Sequence, residues 1–79
     1  MKIQEAVQKR IEQLCREKNM TVYALSYQSA MPSSTVKSII NGQSQNPGIV
    51  NIKKIAEGFD ISIKEFFDSQ LFDDLEQED

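Results

Sequence analysis

"MTVYALSYQSAMPSSTVKSIING", residues 20–42, decides the fold. Thr21 is placed as an N-cap, because its hydroxyl can accept from a free amide N–H of a first helical turn. A short helix follows, with Val22, Leu25 and Ser26 as its inward residues. Tyr23 and Tyr27 recur one turn apart on a more exposed face. Pro32 is expected in the first turn of the next helix, where its missing N–H costs nothing. Val36, Ile39 and Ile40 form that helix's inward stripe. "NG" at 41–42 stops it, with Gly42 suited to a left-handed C-terminal position. All the large apolar residues of this second helix lie in its later half; the leading half, "PSSTVK", is small and polar.

The flanks supply the support for this pair. Upstream, Ile3, Val7, Ile11 and Leu14 recur at helical spacing, with Ala6 and Cys15 widening the stripe. They predict a helix over about residues 2–18, ending near Asn19. Downstream, "QSQNPG" reads as a turn-rich loop. A fourth helix over about 48–58 has Ile52, Ile55, Ala56 and Phe59 inward; Gly58 weakens its end and Asp60 takes the turn. Ser62 and Glu65 have capping-box spacing for a fifth helix, which presents Phe66 and Phe67. No convincing strand can be read. The expected class is all-α: a compact five-helix domain over 1–69 and a short acidic tail over 70–79, a brief helix or disordered. In that tail Leu71, Phe72 and Leu75 lie among acids.

The totals narrow the functions. A chain of 79 residues has room for one core and none for a separate ligand domain. No run of about 18 apolar residues is present, so no membrane span is expected. The charged, broken start "MKIQEAVQKR" does not read as a secretory signal. One cysteine permits no internal disulfide. A cytoplasmic protein is the simplest expectation. With no histidine and one cysteine, neither imidazole-activated nucleophiles nor a structural zinc site is expected. No glycine-rich phosphate loop or calcium-loop spacing is present, so no cofactor, metal or enzymatic activity is expected. Cys15, on the apolar stripe, reads as a small core residue.

Net charge is −3 but unevenly divided. Residues 1–59 carry eight Lys/Arg against four acids, net +4; residues 60–79 carry Lys64 against eight acids, net −7. A mildly basic body with an acidic tail fits either a polyanion-binding body or an ordinary soluble surface with a solvated end.

Two short helices braced by a longer first one match the helix-turn-helix plan, in which the leading end of the second helix reaches base edges. Residues 3–67 resemble the Cro and lambda-repressor type of helix-turn-helix proteins, the XRE family. The resemblance rests on the order of "MTVYALSYQSAMPSSTVKSIING", then "NP", then "IKKIAEGFDISIKEFF". It implies a lambda-repressor-like fold, sequence-specific binding of double-stranded DNA as a transcriptional regulator, and a homodimer. The family's small residues in the second helix and at the turn correspond to Ser26 and Ala30; Ala30 is less comfortable than glycine if the turn needs positive φ. Val22 stands where members often have a phosphate-binding Gln. Cys15 and Ile40 stand where many carry a buried Arg–Glu pair, so an apolar contact is expected there.

By position, the resemblance assigns base-edge contact to Ser33, Ser34, Lys37 and Ser38, with Thr35 at the helix start or against a thymine methyl. Asn41, Gln43, Ser44 and Asn46 would hold phosphates together with backbone N–H groups. Each has a second reading. Ser33 and Ser34 could cap the helix, Lys37 and Ser38 could be plain solvent positions, and Asn41 could serve the helix end. Tyr23 and Tyr27 read as packing or exposed residues rather than base stackers. Phe66, Phe67, Leu71 and Phe72 could pair two copies or close the monomer core. The contrasting functional class is a protein-interaction module, such as an antitoxin or a regulator's partner, with the same fold and weak DNA binding. The acidic tail and scarce lysines favour that class.

Overall fold

The computed structural model describes residues 1–78. Five α-helices follow in order: α1 (Ile3–Lys18), α2 (Val22–Ser29), α3 (Ser33–Ile40), α4 (Ile49–Gly58) and α5 (Ile63–Phe67). A 3₁₀ turn at Gln70–Phe72 closes the series, and no strand occurs among the described residues.

The helix ends form where local chemistry places them. Asn19 ends α1 in the left-handed region, at φ 54°. Thr21 Oγ1 accepts from Ala24 N at 3.0 Å and opens α2. At α5 the capping box is complete: Glu65 N donates to Ser62 Oγ at 3.0 Å, and Ser62 N donates back to Glu65 Oε1 at 3.4 Å. Gly42 (φ 79°) and Asp60 (φ 60°) take the turns after α3 and α4. Pro32 departs from expectation by one position. It is the N-cap of α3 rather than a member of its first turn, with an extended ψ of 140°. Its carbonyl accepts from Thr35 N and Val36 N at 3.1 and 3.2 Å.

The core combines Val7, Ile11 and Leu14 of α1 with Leu25, Val36, Ile39, Ile52, Ile55, Ala56, Phe59 and Phe66. Met31, in the connection between α2 and α3, is buried with them. Cys15 and Ile40 are half-buried and pack against this cluster, as apolar residues at those two places should. Burial pushes the Cys15 thiol above its ordinary pKa, and the Glu12 carboxylate adds to the rise. A low thiolate fraction is the opposite of what a reactive cysteine needs.

Phe66, Phe67 and Phe72 meet inside one copy of the chain. Phe67 stands edge-on to both Phe66 (5.0 Å between centroids, 82°) and Phe72 (4.9 Å, 66°), a favoured aromatic geometry. These contacts are within one chain: Phe66 is buried, while Phe67 and Phe72 remain partly exposed. Further along the tail, Glu76 and Gln77 contact the N-terminal residues. Glu76 meets the N-terminal ammonium at 2.9 Å, and Glu76 N donates to Met1 O at 3.0 Å. That ammonium, by hydrogen bond and by charge, holds the Glu76 carboxyl below its ordinary pKa. Lys2 Nζ donates to Gln77 O at 3.0 Å. Asp79 lies outside the described residues.

Candidate nucleic-acid interface

The turn between α2 and α3 is three residues, Ala30, Met31 and Pro32. Ala30 sits at φ 55°, ψ 42°, a conformation that crowds the Cβ of any L-residue. Its N–H donates to Tyr27 O and that of Met31 to Ser26 O, closing α2. Met31 inserts into the core and Pro32 starts α3 in a new direction. Replacing Ala30 with glycine should relieve the strain, offset in part by the greater freedom of glycine in the unfolded chain. The expected gain is about 0.5–1 kcal/mol, read as a rise of several degrees in Tm.

α3 turns Val36 and Ile39 inward, with Ile40 half-buried beside them. Its outward stripe holds Ser34, Lys37 and Asn41, all exposed, flanked by the half-buried Ser33 and Ser38. Advancing 100° per residue, these five share one side of the helix. Thr35 lies off that stripe, half-buried on the other flank. Among the described residues no side chain caps the start of α3, so the capping reading of Ser33 and Ser34 does not describe this helix.

The loop that follows differs from expectation in one respect. Its first backbone N–H groups are already bonded at the end of α3. Asn41 N donates to Lys37 O at 2.8 Å, Gly42 N to Ile39 O at 3.3 Å, and Gln43 N and Ser44 N to Ser38 O at 2.9 and 3.1 Å. A helix end must satisfy its last carbonyls, and here the loop does so. The polar side chains of Asn41, Gln43, Ser44 and Asn46, not those N–H groups, are what this segment offers a ligand. Among them Ser44 is half-buried and the others exposed. The Ser38 hydroxyl reaches Gln43 Oε1 at 3.5 Å.

Tyr23 was not singled out for the interface from sequence, yet it touches the outward stripe of α3. Lys37 Nζ donates to its hydroxyl at 2.8 Å, joining α2 to the outward stripe of α3. The hydrogen bond from Lys37, and then its charge, lower the phenol's pKa. Tyr27, one turn further on, is 84% exposed. Val22 is half-buried and packs on the core.

Three cations counted in the basic body are engaged elsewhere, Lys2 on Gln77 O among them. The Arg10 guanidinium bonds α5 and the side chain of Gln13. Lys53 pairs with Glu57 at 3.0 Å within α4. Among the described residues no group of three or more Cys, Asp or Glu side chains could hold a metal ion, and no helix is long and apolar enough to cross a membrane.

A braced helix pair whose second member exposes a small, polar stripe defines a helix-turn-helix domain. The family model for the Cro/C1-type HTH DNA-binding domain matches residues 10–70. The chain belongs to this family and is a DNA-binding domain. No curated protein and no solved structure matches it significantly.

Proposed function

We propose that the chain is a sequence-specific transcriptional regulator, acting as a repressor in the cytoplasm, whose α3 enters the major groove of double-stranded DNA. The observation that carries this reading is the outward stripe of α3: apart from the flexible Lys37 it holds only short polar side chains, so the helix backbone can approach base edges closely. Ser33, Ser34, Lys37 and Ser38 are the base-reading set, and Asn41, Gln43, Ser44 and Asn46 the phosphate-holding set. Thr35 lies off the stripe, half-buried, and is in neither set.

So short a reading helix gives limited affinity alone. A homodimer spanning two half-sites about 34 Å apart supplies the remainder. Among the described residues outside the helix pair, the most exposed large apolar side chains are Ile49 and Val50, each 65% exposed at the start of α4.

Selection of bound sites from random duplex DNA, repeated at two salt concentrations, tests the proposal. A palindromic consensus is the expected result. With few cations on the stripe, the salt dependence should be shallow, on the order of three to five released ions per monomer. Lys37→Ala should weaken binding to the selected site by roughly 1–3 kcal/mol and relax its base preference; Ser34→Ala should act in the same direction. Unchanged affinity in both variants would refute this placement of the reading helix. The interaction-module reading draws on the same scarcity of cations, sharpened by the internal use of Arg10 and Lys53. It predicts no enrichment even at low salt.

A further inference from the structure

Resting on the DNA-binding reading above, we infer that Tyr23 is a positioning residue for Lys37: its hydroxyl aims the ammonium at one base pair and itself bonds the neighbouring phosphate. Tyr23 lies in the first turn of α2 and Lys37 midway along α3, fourteen residues later. Their contact is a 2.8 Å hydrogen bond, with the ammonium 4.6 Å from the ring centroid, so it sits at the hydroxyl end of the ring. The pair is a surface feature, since Tyr23 is 64% exposed and Lys37 is exposed too.

The donor count suits the task. An ammonium has three N–H donors. One goes to Tyr23, leaving two for the adjacent O6 and N7 acceptors of a guanine. A lysine has a flexible four-carbon stem and loses much rotamer freedom when fixed on a base. Tethering it beforehand lowers that cost at the moment of binding. Tyr23 accepts from Lys37 and so keeps its own proton for another acceptor. The neighbouring positive charge polarises that O–H and makes it a better donor to a phosphate oxygen. The lowered phenol pKa is in keeping with this. The contact also fixes α2 against α3 at the DNA-facing edge, where Val22 has no group to bond a phosphate.

Two measurements test the inference, one without DNA. The chain has two tyrosines and no tryptophan, so in a Tyr27→Phe background ultraviolet titration reports Tyr23 alone. Adding Lys37→Met should raise its midpoint; no movement would overturn the tether. On the duplex selected by the wild-type protein, Tyr23→Phe keeps the ring and loses the hydroxyl. It should weaken binding roughly three- to tenfold. It should also relax preference at the base pair relaxed by Lys37→Met. The double variant should lose less than the product of the single losses, as expected for side chains acting as one unit. Tyr27→Phe should bind as wild type. If Lys37→Met weakens binding while Tyr23→Phe matches wild type in affinity and preference, this inference falls and the DNA-binding reading stands. A wild-type protein that enriches no duplex overturns both.

Discussion

Replacing Gly58 with alanine should destabilise the protein by roughly 1–3 kcal/mol, although the change improves helix propensity. Gly58 is buried in the last turn of α4, against α2. A Cβ there would overlap Ser29 Oγ and lie 3.2 Å from both Leu25 Cδ1 and Ser29 Cβ. Neither neighbour can swing into solvent, because Leu25 and Ser29 are both buried. α2 and α4 must therefore move apart, and α2 is the helix that seats α3. By propensity alone an exposed helical glycine gains up to about 1 kcal/mol on becoming alanine, so the sign of the effect tests the packing. Ser29 provides the second arm. Its hydroxyl is buried with no hydrogen-bond partner among the described residues, a state that costs about 1–3 kcal/mol. Ser29→Ala should therefore stabilise the wild-type protein modestly and rescue much of the Gly58→Ala loss. Thermal or urea unfolding of the two single variants and the double variant gives the coupling energy, expected to be on the order of 1 kcal/mol. A Gly58→Ala protein as stable as wild type would show that the two helices are not in tight contact.

That close approach shows where reading the sequence stops. The helices themselves were legible: Thr21, Ser62 with Glu65, Gly42 and Asp60 mark ends through chemistry contained within a few residues. The inward stripes were legible because burial repeats at helical spacing. Ser29 lies one further turn along the Val22–Leu25–Ser26 face, so its burial could have been read from spacing. What it meets could not. Gly58 looks like a weak helix end until α2 is laid across it, and only that crossing makes the missing Cβ a requirement. The Tyr23–Lys37 contact and the docking of Glu76 on the N-terminus are also between segments, and no periodicity announces them. For the site, Ser34, Lys37 and Asn41 were assigned by the family resemblance, and the helix period agrees with their outward placement. The engagement of the loop N–H groups by Ser38 depended on how the chain leaves α3.

Arg10 carries the second large expectation. From sequence it is one of eight cations in a mildly basic body, and thus a natural candidate for a phosphate. In the fold it braces α5. Its Nε donates to Phe66 O at 2.6 Å, its Nη2 to Glu65 O at 2.8 Å, and its Nη1 to Gln13 Oε1 at 2.8 Å. α5 has only five residues, too short to hold itself together; Asp68 N donates to Glu65 O at 3.2 Å and Ser69 N to Phe67 O at 3.0 Å, which leaves Phe66 O to Arg10. A guanidinium across that end supplies forked donors and a positive charge where the helix dipole is negative. It also fixes α1 to the segment that brings Phe66 into the core. Arg10→Met keeps most of the apolar stem and removes every donor. It should cost about 2–3 kcal/mol, a fall in Tm on the order of 10–15 °C for a domain of this size. Arg10→Lys should recover less than half, because an ammonium cannot reproduce the fork. Below the unfolding transition, the affinity of Arg10→Met for DNA and its salt slope should match wild type. If stability instead holds while the salt slope drops by about one ion, Arg10 is a phosphate ligand and α5 is held by its apolar face alone.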